Sequence, residues 1–133
     1  MKKQIFAFFF LVVFSLCANA DEYGDLRPKL SAARDSLVAM MLHKDQRGPE
    51  QQKLVKDTAD AVSAHLVKMK ARPGEEVQFK ELVDTWAAFK RSRETELVPA
   101  ILSGNEELAK RIAGGVQKER ITRCQKLVSE LAR

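Results

Sequence analysis

From Leu26 to Leu131 the apolar residues recur at three- and four-residue steps, and only three Pro/Gly-bearing breaks interrupt the run. That spacing is the period of a helix with one buried face, and no alternating run of β-branched residues is long enough to make a strand. The first stripe is Leu26, Leu30, Ala33, Leu37, Met40 and Met41, and Gly48-Pro49 ends it. Proline there suits the first turn of the next helix. The second stripe, Val55, Ala59, Val62, Leu66 and Met69, stops at Arg72-Pro73-Gly74. The third runs through Phe79, Leu82, Val83, Trp86, Phe89, Leu97 and Ile101 to Ser103-Gly104-Asn105. Gly104 is placed to take a left-handed cap and Asn105 to cap the fourth helix. The fourth stripe is Leu108, Ile112, Val116, Ile121, Cys124, Val128 and Leu131. Four amphipathic helices with short connections predict an all-α, antiparallel up-down-up-down four-helix bundle. Its expected core includes Leu37, Met40, Val62, Leu66, Leu82, Trp86, Ile112, Val116 and Leu131.

Two irregularities lie toward one end of the second hairpin. Pro99 falls inside the third stripe, where it should remove a backbone hydrogen bond and kink the last turn. Gly114-Gly115 weakens the fourth helix at a similar height. Together they mark a loosened upper half, either an entry for a ligand or an adjustment of packing.

Residues 1–20 carry a second signal. Lys2 and Lys3 precede the apolar run Ile5–Leu16, and Ala18 and Ala20 are small residues at the spacing a signal peptidase requires. The domains are therefore a signal peptide, 1–20, and a helical bundle, 21–133, with Asp21 as the expected mature start. The location implied is periplasmic or secreted. Of the formal charge of +5, Lys2 and Lys3 contribute two, leaving a mild +3 and no case for nucleic acid. Cys17 leaves with the signal, so Cys124 is a buried thiol or an intermolecular link.

Trp86, the arginine-bearing Lys90-Arg91-Ser92-Arg93, the corner Val98-Pro99-Ala100-Ile101-Leu102-Ser103-Gly104-Asn105 and the small Ala109 carry a family likeness. The stretch Phe79 to Leu131 resembles the second half of the four-helix-bundle ligand-binding domain of methyl-accepting chemotaxis receptors. The resemblance implies a sensor module. Such receptors continue into a second membrane span and a signalling region, whereas this sequence ends at Arg133, so the implied form is a free-standing, secreted version. Its state would then pass to a partner, a second copy or a membrane receptor.

Chemistry centres on the arginines. Arg93 lies on the third apolar stripe between Phe89 and Leu97, while Glu119, Arg120 and Arg123 interrupt the fourth. A buried guanidinium needs an anion or several acceptors, so Arg93 with Arg120 or Arg123 is a candidate clamp for a small carboxylate. The alternatives are an internal Arg93–Glu119 pair, or arginine stems covering the core with their heads in water. His43 and His65 lie at different heights, and His65 with Cys124 gives too few donors for a closed metal site. Arg123-Cys124-Gln125-Lys126 lacks the covalent haem motif, which leaves a b-type haem held by Met40 or Met41 with His65 as an alternative. No nucleophile–base pair, phosphate loop or metal triad is present, so no catalytic residue and no cofactor is assigned. The expected class is a non-enzymatic sensor module for a small organic anion. A structural or chaperone-like helical protein is the other reading.

Overall fold

The computed structural model describes residues 22–132, which are helical apart from short connections. The expected signal peptide and the Asp21 start lie outside the described residues. Helix α1 (Glu22–Leu42) is followed by one 3-10 turn and by α2 (Pro49–Lys68), with Pro49 at its first turn. The third helical arm is α3 (Glu76–Ser92), a π-helical segment at Arg93–Leu97, and α4 (Val98–Leu102). The fourth arm is α5 (Glu106–Gly114) and α6 (Val116–Leu131). None of the described helices is long and apolar enough to cross a membrane.

Local chemistry explains the corners. Gly104 adopts φ +78°, and Asn105 Oδ1 accepts the Leu108 amide at 3.2 Å, capping α5 as its position in the sequence indicates. Pro99 occupies the first turn of α4, immediately beyond the π segment. There the Val98 amide reaches back to the Arg93 carbonyl, so the widened turn gives the proline ring room in place of a simple kink.

α1 packs along α2 and α6, and α6 along α3, whereas α2 and α3 touch over a much shorter length. The interior has two apolar parts. The larger holds Leu26, Leu30, Val62, Leu82, Trp86, Phe89, Cys124, Leu127 and Leu131 among its members. The smaller contains Leu37, Met40, Val55, Leu97, Ala100, Ile101 and Ala109.

One stretch of the expected core is corrected. Val116 is 39% exposed and Ile112 is only partly buried. The reason is the break at Gly115, where a Cβ would lie 2.9 Å from the Arg111 carbonyl. α5 and α6 are thereby separate helices out of phase with each other. The inward stripe of α6 starts at Gln117 and continues through Ile121, Cys124, Val128 and Leu131, all of them buried.

Candidate functional site

Between the two apolar parts lies a polar layer, and Arg93 is its centre. Its position on the stripe of the third arm carries it inside, at 1% exposure. Nη1 donates to the Ala33 carbonyl at 2.6 Å and Nη2 to the Val55 carbonyl at 2.5 Å, so one side chain joins the third arm to the backbones of α1 and α2. Both carbonyls receive further hydroxyl donors: Ser36 Oγ reaches Ala33 O at 3.1 Å, and Thr58 Oγ1 reaches Val55 O at 3.2 Å. Among the described residues no carboxylate stands within ion-pair distance of Arg93. Burial pulls its pKa down to about 10, against the opposing fields of Glu94 and Asp60.

The other face of the third arm carries a second cluster. Gln117 Nε2 donates to Ser92 Oγ at 2.6 Å and to Phe89 O at 3.0 Å. Arg120 Nη1 donates to Ser92 Oγ at 2.9 Å and to Ala88 O at 3.1 Å. Arg123 forms a two-pronged pair with Glu81, at 2.7 and 2.9 Å, on a half-exposed surface. Its hydrogen bond holds the Glu81 carboxyl below the usual range. The three arginines singled out from sequence thus have three separate partner sets. Arg93 and Arg120 flank the third arm at one height, Arg123 is engaged elsewhere, and Glu119 is exposed.

Outside Arg93, the short contact of α2 with α3 leaves an open groove of about 620 Å³. Its wall carries Gln52, Lys53, Lys56 and Lys90 with Asp60 and Glu94, and Arg93 lies behind it. Lys90 bonds Glu94 at 3.0 Å and Asp60 at 3.3 Å, while Lys56 bonds Asp60 at 3.1 Å. These pairs raise the Lys90 pKa, chiefly through Glu94, and lower that of Asp60, chiefly through Lys56. Lys53 is paired in turn with Asp57, so four cations meet three carboxylates and the groove keeps a surplus of one positive charge.

Gln117, Ser36, Lys53 and Lys56 did not stand out in the sequence, and Ser92 and Lys90 stood out only as neighbours of Arg93. The signal for Gln117 was available, because it stands four residues before Ile121 and seven before Cys124. The lysines gave none, since a lysine on an exposed helical face is ordinary.

The remaining candidates are placed by their partners. His65 Nε2 donates to the Glu22 carbonyl at 2.8 Å, which leaves Nδ1 to accept from Lys29 Nζ at 3.0 Å. Met40 lies about five turns, or roughly 27 Å, farther along α1 than Glu22. The Met40/Met41–His65 pair therefore cannot share one haem iron. Cys124 is the buried thiol of the two readings, fully enclosed, with its pKa pushed up to about 12 by burial. That argues against the intermolecular link.

No protein-family model, no curated protein and no solved structure matches this chain.

Proposed function

We propose that this chain is a non-enzymatic, exported sensor-like module, an up-down-up-down bundle that binds a small organic anion and passes its state to a partner. The observation that supports it is Arg93, a wholly buried cation with no carboxylate in ion-pair reach among the described residues, behind a groove rich in lysine. A cation taken out of water favours a nearby anion, and a groove with a surplus of positive charge raises the local concentration of one. The anion would lie against Lys53 and Lys56, with Arg93 contributing its field from beneath. Arg120 and Arg123 stay with Ser92 and Glu81 and shape the opposite seam.

Calorimetric titration with succinate and citrate tests the reading. Binding should weaken with added salt, as screened charge requires, and the double variant Lys53→Ser/Lys56→Ser should lower affinity about tenfold. Equal affinity in the double variant would sink the proposal. The structural or partner-binding reading draws on a different observation. Val67 is 85% exposed beside a second α2/α3 groove walled by Leu66, Val83 and Trp86. Failure of every anion to bind, with self-association or capture of a membrane partner, would favour that reading.

A further inference from the structure

A second cavity differs in chemistry from the lysine groove. It is a cleft of about 300 Å³ between α1 and α6, beside the Gly115 break, and this puts it at the small end of the roughly 300–1,000 Å³ typical of ligand pockets. Leu37, Val38, Met41, Phe89, Leu97 and Ile121 make the bulk of its apolar wall. Gln117 also lines it, at 3% exposure, and its Oε1 is buried with no hydrogen-bond partner among the described residues. The amide orientation is fixed by chemistry. Nε2 donates to the Phe89 carbonyl, and the opposite orientation would set two acceptors against each other.

An unsatisfied buried acceptor in an apolar wall is costly, and it calls for a donor. The lining residues decide which kind. Arg34 and Lys118 are the charged members of the wall, Thr122 and Gln125 its other polar ones, and no carboxylate among the described residues lines it. Two cations disfavour an ammonium donor, while a carboxylate has no proton to offer Oε1. A neutral hydroxyl on an apolar body satisfies both conditions. We propose that this cleft binds a small apolar molecule carrying one neutral hydroxyl, of the phenol or alcohol class, whose O–H is donated to Gln117 Oε1.

The site is separate from the anion groove, and it stands or falls independently of that reading. The test is titration of the full chain with phenol and with toluene, followed by calorimetry or by amide shifts in nuclear magnetic resonance. Phenol should bind about tenfold more tightly than toluene, the effect of roughly one hydrogen bond. In Gln117→Met that preference should collapse toward unity. Thr122→Trp, an exposed position on the cleft wall, should weaken both probes without disturbing the core, and it keeps the test decisive if Gln117→Met fails to fold. Equal binding of the two probes, a preference that survives Gln117→Met, phenol binding untouched by Thr122→Trp, or no phenol binding would each overturn the assignment.

Discussion

The two halves of the interior are built by different means. Among the described residues the larger core has sixteen buried members, all but Met69 drawn from α1, α2, α3 and α6, whose helices run unbroken past one another, and it includes the tilted Trp86–Phe89 pair with ring centroids 5.3 Å apart. The smaller has seven, two of them alanines, and it is bounded by the π segment, the Gly115 break and both tight corners at that end. Apolar area makes the first rigid. The second has less to lose on opening, because local stability follows the number of buried apolar contacts an element makes. Both candidate sites border the junction of the two, where a change in the weaker half is reached without unfolding the stronger.

The largest expected effect tests that inequality directly. Trp86→Ala should cost ~3–5 kcal/mol, since it empties the larger core and strands the Ser63 hydroxyl that accepts the indole N–H at 2.9 Å. Ile101→Ala in the smaller core should fall near ~2 kcal/mol, because a thinly packed site collapses more readily. Equal losses in urea midpoints would mean that the two cores behave as one.

Arg93 offers a finer probe. Arg93→Met should change stability by no more than about 1 kcal/mol in either direction, since an apolar side chain of similar length can fuse the two cores. Arg93→Ala should be clearly worse, because it leaves a cavity. A large loss in Arg93→Met would show that the links to Ala33 and Val55 hold the halves together.

The smallest effect is a dependence on pH. Burial raises the Cys124 thiol from 9.0 to about 12, so the unfolded chain releases this proton first. Its contribution is fully present below pH 9 and is lost as pH rises toward 12. Urea midpoints at about pH 8 and about pH 10.5 should therefore fall less in Cys124→Ala than in the native chain. An identical fall in both would place the thiol in a wetter setting than the larger core.

Much of this is legible from spacing. The helical stripes, the Gly104 and Asn105 corner, and the burial of Trp86, Leu66 and Leu131 come from a single period and a few capping residues. Arg93 is legible as an inward residue but its partners are not, because they are backbone carbonyls on helices distant in sequence. Val116 departs from expectation for a related reason. A single phase carried across Gly114-Gly115 turns it inward, whereas the backbone break resets the phase and hands the inward position to Gln117.

The π segment has a consequence for how the third arm tolerates change in length. Its buried positions Phe89, Arg93, Leu97 and Ile101 stand at uniform intervals of four, and in a regular α-helix each such interval overshoots a turn by about 40°. Widening one turn absorbs the accumulated rotation, which amounts to housing a supernumerary residue between two correctly phased stretches. Thr95, exposed and with its hydroxyl donated to the Arg91 carbonyl of its own helix, is that dispensable member. Without it the inward series becomes four, three, four, the rhythm of a plain helix, and the junction of the two cores would lose the slack that seats Pro99.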